Sequence, residues 1–269
     1  MTTFSYFYIM VIEFCKFQGA GNDFVLIDNR DGRYNALSKD KIKFLCDRNF
    51  GIGSDGLIQL KLHPNVDFEM DFFNPDGSKS FCGNGARCTV AYAQALSVNF
   101  STYTFAAIDG YHDFTIDDSM IGIHMQDVAT IEKLKSDEVF INTGSPHYVL
   151  LDNDLSTPHV IEKGKEIRHS EAYNEQGVNV NLVQEQSSDT IRIATFERGV
   201  ENETLACGTG ATACALFFAD RNQLTQGKIN VLAKGGSLTV SFERRNSAFT
   251  NVWLNGSAQF VYKGTIELI

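Results

Sequence analysis

The chain has 269 residues, which is enough for one large domain or for two domains of ordinary size. Its 43% apolar and 21% charged residues are typical of a globular protein with a buried core and exclude a disordered chain. A formal net charge of -10, without any Lys- or Arg-rich stretch, argues against a nucleic-acid-binding protein.

The N-terminal segment 1–12 is apolar, but it is too short to span a bilayer and lacks the basic residues and the cleavage site of a secretory signal. Residues 1–9 are interpreted as an extension ahead of Met10. The six cysteines lack Cys-x-x-Cys spacing, which argues against zinc and thioredoxin-type sites. We therefore expect a cytoplasmic protein with reduced thiols, no metal and no membrane partner.

Strand patterns dominate the chain, and helical patterns are few. Strands are predicted at 24–28, 56–62, 67–73, 103–107, 112–116, 121–125, 138–142, 147–151, 177–182, 190–196, 228–232, 237–242, 251–255 and 258–261. Helices are predicted at 38–48, 85–96, 157–169 and 210–220. The pattern is one of many strands wrapped about one helix, twice, with a boundary near 126–130. The last residues, 264–269, are predicted to return as a strand to the first half.

A glycine-rich motif occurs twice, and its two copies lie about half a chain apart. The copies are residues 82–86 (Cys-Gly-Asn-Gly-Ala) and 207–211 (Cys-Gly-Thr-Gly-Ala), each followed by a predicted buried helix. A helix start carries unpaired N–H groups and a partial positive charge, which suit a carboxylate or phosphate and favour a cysteine thiolate. Two such thiols are suited to removing a proton from one face of a carbon and returning one to the other.

Two other glycine-rich segments are weaker signals. Residues 51–56 (Gly-Ile-Gly-Ser-Asp-Gly) match the dinucleotide fingerprint, but a strand is predicted after them where the fingerprint needs a helix. They are therefore interpreted as a turn. Residues 19–24 lack the third glycine and are interpreted as a substrate loop, in which Asn22 offers both a donor and an acceptor.

Polar residues shortly before each motif are candidate substrate ligands. Asn74 lies in a predicted turn before Cys82, and Glu197 and Arg198 precede Cys207 at a similar distance. An arginine can bind a carboxylate through two hydrogen bonds, and a glutamate can bind an ammonium group. The structural alternatives are that Asn74 only stabilises its turn and that Glu197 and Arg198 form a surface ion pair.

Three further candidates lie between the two motifs. Asn179 and Asn181 alternate along a predicted strand and share one face, so one of them could face a ligand. His147 could tune a thiol or take part in proton transfer, with a structural histidine as the alternative.

Together these motifs resemble the diaminopimelate epimerase family, which is cofactor-independent. The matching segments, in family order, are 19–24, 47–56, 73–78, 82–88, 177–181, 196–200 and 206–211. Proline and hydroxyproline racemases also use two cysteines, but they carry Cys-Gly-His-Gly at the first copy of the motif, where this chain has Asn84 in place of the histidine. Relatives from phenazine biosynthesis use a carboxylate base in place of the first thiol.

The resemblance implies an α+β fold of two similar domains, each a curved, barrel-like mixed β-sheet wrapped around a central helix. We expect the N-terminal half at 1–127 with the returning strand 263–269, the C-terminal half at 128–262, and the active site in the cleft between them. The implied activity is the interconversion of LL- and meso-2,6-diaminopimelate, in the biosynthesis of lysine and peptidoglycan precursors. The implied partner is this small-molecule substrate, with no cofactor and no nucleic acid. The sequence leaves a homodimer open.

The resemblance also implies a role for each candidate residue. Cys82 and Cys207 are the acid and the base, and His147 and Glu197 support the thiols. The reacting α-carboxylate is held by Gly83, Asn84, Gly208 and Thr209. The distal end of the substrate is held, or the reacting centre flanked, by Asn22, Asn74, Asn179, Glu197 and Arg198.

Two positions depart from the family pattern. Gly56 stands where some members carry a substrate-contacting Gln, and Ser145 stands where many carry Asn before Pro-His. Ser145 keeps a hydrogen-bonding side chain of shorter reach, so it is predicted to be a weaker contact. Two other functions stay open from the residues: a proline-type racemase, and a non-catalytic or redox-sensing amino-acid binder in which Cys82 and Cys207 form a disulfide.

Overall fold

The computed structural model describes residues 9–268, and these divide into two compact units. The first unit contains residues 9–18, Asp23–Tyr111 and 259–268, and the second contains Gly19–Asn22 and His112–Ala258. Residues 1–8 of the predicted N-terminal extension lie outside the described residues. None of the helices in the described part of the chain is long and apolar enough to cross a membrane.

The first unit is a mixed sheet with two helices. Its elements are β1 (Met10–Gly19), β2 (Asn22–Asp28), α1 (Lys39–Cys46), β3 (Gly56–Lys61), β4 (Phe68–Phe73), α2 (Gly83–Ala95), β5 (Thr104–Ala107) and β17 (Gln259–Leu268). The strand pairs β2–β3 and β4–β5 are parallel, and β3–β4 is antiparallel. β17 pairs antiparallel with β1, from Met10 opposite Leu268 to Gln18 opposite Gln259. The end of the chain therefore completes the sheet of the first unit.

The second unit is a larger mixed sheet with two helices. Its elements are β6 (Gly110–Asp117), β7 (Met120–His124), β8 (Glu132–Lys135), β9 (Glu138–Asn142), β10 (Pro146–Leu151), α3 (Thr157–Arg168), β11 (Asn179–Ser187), β12 (Thr190–Glu197), β13 (Asn202–Thr204), α4 (Gly208–Arg221), β14 (Gln226–Ala233), β15 (Gly236–Arg245) and β16 (Ala248–Ser257). The pairs β10–β11 and β12–β14 are parallel. β7 pairs with both β6 and β16, which places the chain from His112 onward in this unit rather than from residue 128.

The same succession of elements occurs in both units. It runs strand, helix, strand, strand, helix, strand, first as β2-α1-β3-β4-α2-β5 and again as β10-α3-β11-β12-α4-β14, with β13 inserted before α4. Parallel neighbours need a crossover connection, and one helix lies in each of the four crossovers. The predicted α+β class, with a mixed sheet and a central helix in each half, is confirmed.

The two helices that follow the cysteine motifs are the buried ones. All residues of α4 are buried except Thr209 and Arg221, and α2 is buried over its first eight residues. α1 and α3 bury only one side each. The sequence predicts helix starts at Gly85 and Gly210, but α2 and α4 begin two residues earlier because tertiary packing outweighs the low helix propensity of glycine.

Three strands were not predicted from the sequence. β1 continues out of the apolar N-terminal segment, and polar Glu13 and Lys16 obscure its strand pattern. β8 is exposed along its whole length and so carries no apolar alternation. β13 has three residues, too few for any periodicity.

Candidate active site

Cys82 caps the N-terminus of α2 in the first unit. Its backbone is extended (φ -137, ψ 110), and its Sγ accepts a hydrogen bond from the backbone N–H of Gly85 at 3.4 Å. The thiol is half-buried, whereas Gly83 and Asn84 behind it are buried. The first N–H groups of α2 are thus directed at the position of the thiol, where they stabilise negative charge.

A fully buried arginine, Arg87, lies in the first turns of the same helix. Its Nη2 donates a hydrogen bond to Asn84 Oδ1 at 2.7 Å, and its Nη1 donates to the carbonyl oxygen of Gly83 at 3.4 Å. The sequence motifs predict no role for this residue. The signal that could have found it is a single charged residue inside an otherwise apolar helix, because arginine is rarely buried without a purpose.

The floor beneath α2 is apolar. A Cβ on Gly85 would lie 3.2 Å from both Ile58 Cδ1 and Met70 Cε, so the helix start packs directly on β3 and β4. Glycine at this position allows that close approach.

Cys207 caps the N-terminus of α4 in the second unit with the same extended backbone (φ -122, ψ 117). Its side chain is buried, and its Sγ lies 3.4 Å from the hydroxyl of Thr209. The Thr143 hydroxyl donates to the carbonyl oxygen of Thr209 at 2.9 Å and holds this turn against the start of β10. Both cysteines that the motif singled out therefore stand at the start of a buried helix.

His147 lies on β10 at the centre of a buried polar network. Asn181 Nδ2 is 3.0 Å from His147 Nδ1, and it also faces the carbonyl oxygens of Tyr148 at 3.2 Å and Asn179 at 3.4 Å. Carbonyl oxygens only accept, so this nitrogen is the donor and His147 Nδ1 is an acceptor. The Thr195 hydroxyl donates to Asn181 Oδ1 at 2.9 Å and fixes the same orientation.

The network keeps His147 neutral, with its proton on Nε2. Burial lowers the pKa of His147 to about 3, and the charge of Arg198 acts in the same direction. The buried Nε2 has no hydrogen-bond partner among the described residues. The two-residue spacing of Asn179 and Asn181 leaves open which of them faces a ligand, and the structure places Asn181 beside His147.

Asn179 joins three of the predicted site segments. Its Nδ2 donates to Ser145 Oγ at 3.0 Å, and its Oδ1 accepts the backbone N–H of Arg198 at 2.9 Å. Arg198 Nη1 in turn donates to the carbonyl oxygen of Gln176 at 2.9 Å. A Cβ on Gly177 would lie 2.5 Å from Arg198 Cδ, so the glycine makes room for this side chain.

The three further predicted ligands are Asn74, Glu197 and Asn22. Asn74 binds its own turn, with Nδ2 donating to Ser78 Oγ at 3.0 Å and to Ser80 Oγ at 3.2 Å. Glu197 is half-buried at the end of β12. Asn22 follows Gly21, whose Cβ would lie 3.0 Å from Leu205, so its loop packs beside the segment that leads to Cys207.

Gly56 is required by packing. A Cβ at this position would lie 2.3 Å from the ring of Phe72 and 2.9 Å from the carbonyl oxygen of Phe73. β3 begins at Gly56, so segment 51–56 leads into a strand, as the turn interpretation requires. The aromatic ring occupies the direction in which a longer side chain would extend.

All six cysteines are free thiols. Burial raises the pKa of Cys88 in α2 to about 12, and it raises that of Cys214 in α4 as well. These two thiols stay protonated near neutral pH. No cluster of His, Cys, Asp or Glu within residues 9–268 has the arrangement of a metal site.

Known proteins match both the sequence and the fold. The model of the diaminopimelate epimerase family matches residues 14–127 and 139–261. The diaminopimelate epimerase of Flavobacterium psychrophilum is 45% identical over 253 residues, which are 93% of this chain and 98% of that protein. The enzyme of the same name from Aquifex aeolicus is 37% identical over 95% of this chain and 98% of its own length.

Solved structures with low identity share the fold. A phenazine biosynthesis protein of the PhzF family from Bacillus anthracis has a TM-score of 0.69 at 13% identity and covers 97% of this chain and 100% of its own. A hydroxyproline epimerase from Agrobacterium vitis has a TM-score of 0.68 at 11% identity and covers 96% of this chain and 93% of its own. These likenesses establish the architecture alone, whereas the sequence matches establish the family. The chain belongs to the diaminopimelate epimerase family, as its motifs predict.

Proposed function

We propose that the protein interconverts LL- and meso-2,6-diaminopimelate without a cofactor, with Cys82 and Cys207 as its two acid–base residues. Membership of this family makes the protein an isomerase. The observation that carries the two-base proposal is the matched placement of the two thiols, each the N-cap of a buried helix. A purely structural cysteine would not need this placement twice.

The reaction inverts one carbon by moving two protons. The thiolate on one face takes the α-proton, and the electron pair of the broken C–H bond is left on the carbon and its carboxylate. The thiol on the opposite face then gives its proton to that carbon. Thiolate and thiol have exchanged roles after one turnover, so the reverse reaction can use the same pair.

Stabilisation of the negative charge that develops is the main energetic demand of this step. The N–H groups of Asn84 and Gly85 in α2, and of Thr209 and Gly210 in α4, lie at helix starts that suit a carboxylate. Removing one such donor typically costs about 3 kcal/mol of transition-state stabilisation, or a hundredfold or more in rate. The proposal therefore assigns the reacting carboxylate to these two turns.

The distal end of the substrate carries a second ammonium group and a second carboxylate. Arg198 and Glu197 offer opposite charges for these groups, and Asn179 holds Arg198 through its backbone N–H. Asn22 and Asn74 are proposed as further polar contacts. Charged groups that leave water without a partner are costly, so simple amino acids are expected to be poor substrates.

Hydrogen exchange at the α-carbon tests the proposal directly. The reduced protein is incubated with LL-diaminopimelate in deuterated water, and the α-hydrogen and the stereochemistry are followed by NMR. We expect deuterium incorporation together with formation of the meso isomer. Exchange with proline instead would place the activity with the racemases, and binding without exchange would leave a non-catalytic binder.

Single substitutions assign the reaction to the thiols. Cys82→Ala and Cys207→Ala are each expected to abolish epimerisation while the circular dichroism spectrum is preserved. Cys15→Ala is the matched control, because Cys15 is a half-buried thiol on β1 outside both motifs. Turnover close to that of the wild type in either motif variant would contradict the two-base mechanism.

A homodimer in the cytoplasm completes the proposal. The beginning of β17 exposes a run of three apolar residues, Phe260, Val261 and Tyr262, which supports self-association. Six free thiols support a reducing compartment. Light scattering is expected to give twice the mass of one chain for the wild type and a single-chain mass for Val261→Glu; a monomeric wild type would exclude the dimer.

A further inference from the structure

The two copies of the cysteine motif differ at one matched position. Five residues after the N-cap, the first copy carries Arg87 and the second carries Thr212. Thr212 is buried and neutral, and its hydroxyl donates to the carbonyl oxygen of Gly208 at 3.0 Å. Arg87 is buried as completely but carries a charge. The matched position therefore holds a buried cation in the first motif helix and a neutral side chain in the second.

Arg87 has few partners for a buried guanidinium. Its Nη1 and Nη2 donate to neutral oxygens, those of Gly83 and Asn84, and its Nε has no hydrogen-bond partner among the described residues. Burial lowers the pKa of Arg87, which reflects the cost of holding this charge out of water. A buried cation in such surroundings calls for a counter-charge.

Two thiols of the first motif can supply that charge. The ionisable groups that act electrostatically on Arg87 are Cys88 and Cys82. Burial raises the pKa of Cys88 to about 12, so this thiol remains neutral. The guanidinium contacts the carbonyl of Gly83, the residue that follows Cys82, so it lies against the first turn of α2.

The sheet beneath α2 contributes no charge on the side that faces the helix. Ile58 on β3 and Met70 on β4 contact the helix start, and Ile58 lies opposite Phe72 in the register of the two strands. Charged Lys61, Glu69 and Asp71 alternate with these residues and point to the opposite face. Asp71 is paired there with Lys61 and Lys79.

We propose that Arg87 is a positioning residue whose counter-charge is the thiolate of Cys82, so that in the substrate-free protein Cys82 is ionised and Cys207 carries the proton. The inference rests on the proposed two-base function and extends it by assigning the resting protonation states. The backbone N–H of Gly85, which donates to Cys82 Sγ, favours the same state. At the matched position the second copy carries the neutral Thr212.

The test measures the ionisation of each thiol without substrate. The protein is alkylated with iodoacetamide over a range of pH, and peptide mass mapping follows the rate at Cys82 and Cys207 separately. In the wild type, Cys82 is expected to reach half of its maximal rate at a pH at least about one unit below that of Cys207. Equal midpoints, or a lower midpoint for Cys207, would overturn the inference.

Two variants separate the charge of Arg87 from its shape. Arg87→Gln removes the charge and is expected to raise the midpoint of Cys82 by about one pH unit or more, with little change at Cys207. Arg87→Lys keeps the charge and is expected to raise it less. Arg33→Gln, on the surface of the same unit, is the matched control and should leave both midpoints in place.

Each outcome of the variants decides the question. A folded Arg87→Gln protein with an unchanged Cys82 midpoint would show that Arg87 only stabilises the first turn of α2. This result would overturn the inference. If Arg87→Gln does not fold, the inference is tested by the order of the Cys82 and Cys207 midpoints in the wild type and by the Cys82 midpoint of Arg87→Lys. Because no substrate is present, a protein that lacks epimerase activity would contradict the proposed function without altering this measurement.

Discussion

The protein is expected to lose stability as the pH falls from 7.5 to 5, because His147 resists protonation in the folded state. Its pKa is lowered by burial to about 3, whereas an unfolded histidine titrates near its ordinary value of about 6.5. Between these two values the unfolded chain binds more protons than the folded chain. The contribution of His147 to the free energy of unfolding therefore rises with pH across this window. This contribution is lost as the pH falls below about 6.5.

The size of the effect follows from the two pKa values. At pH 5 the unfolded state is favoured by RT ln[(1 + 10^1.5)/(1 + 10^-2)], about 2 kcal/mol, and at pH 7.5 the contribution falls to about 0.1 kcal/mol. The figure at pH 5 stays near 2 kcal/mol for any folded pKa below about 4, so it does not depend on the exact value. An effect of this size is a large fraction of a typical domain stability.

Urea unfolding at pH 7.5 and pH 5 measures this change in the free energy of unfolding. Trp253 on β16 is the only tryptophan of the chain and lies in the same unit as His147, so its fluorescence reports the unfolding of that unit. His147→Gln is expected to shrink the difference between pH 7.5 and pH 5 by about 2 kcal/mol relative to the wild type. His169→Gln, at an exposed histidine, is the matched control. Equal pH differences in the wild type and His147→Gln would refute the reasoning.

Three glycine substitutions test the close packing behind the site. Gly210→Ala would place a Cβ 2.5 Å from Asn181 Oδ1, and we expect it to destabilise the protein by about 1–3 kcal/mol and to lower kcat/KM through the displaced network. Gly164→Ala would gain up to about 1 kcal/mol of helix propensity but would place a Cβ 2.2 Å from the Phe196 ring, so a net loss is expected in urea unfolding. Gly227→Ala meets nothing closer than 3.9 Å and should change stability by less than about 0.5 kcal/mol; a loss as large as at the other two positions would show that the close contacts are not the cause.

The sequence predicted what depends on local spacing. The repeated Cys-Gly-x-Gly-Ala motif located both N-cap cysteines, and the strand and helix patterns indicated the mixed α+β architecture. The helix starts were placed two residues late because glycine-rich turns lack the usual helix signal. β8 and β13 were missed because an exposed or very short strand carries no apolar periodicity.

The sequence could not predict contacts that depend on the pairing of distant strands. Asn181 meets His147 only because β10 and β11 are parallel neighbours with His147 opposite Asn179. The burial of Arg87 likewise depends on the first eight residues of α2 being enclosed by the fold, which no local pattern states. The contacts of Asn181 and Arg87 therefore depend on their positions in the fold, and neither residue belongs to a motif that predicts those contacts.

The two thiols have the same backbone setting, but a two-base reaction needs their protonation states to differ. If both thiols were ionised, each face of the carbon would have a base and neither an acid; if both were protonated, no base would be present. The two halves of this chain differ where such a choice would be made. The buried cation of Arg87 lies beside the first helix start, above an apolar floor. Behind the second lies a network of the neutral side chains of His147, Asn181 and Thr195, and the charge of Arg198 acts on His147. On the proposed mechanism, these unequal surroundings would let a symmetric scaffold begin each turnover with one base and one acid.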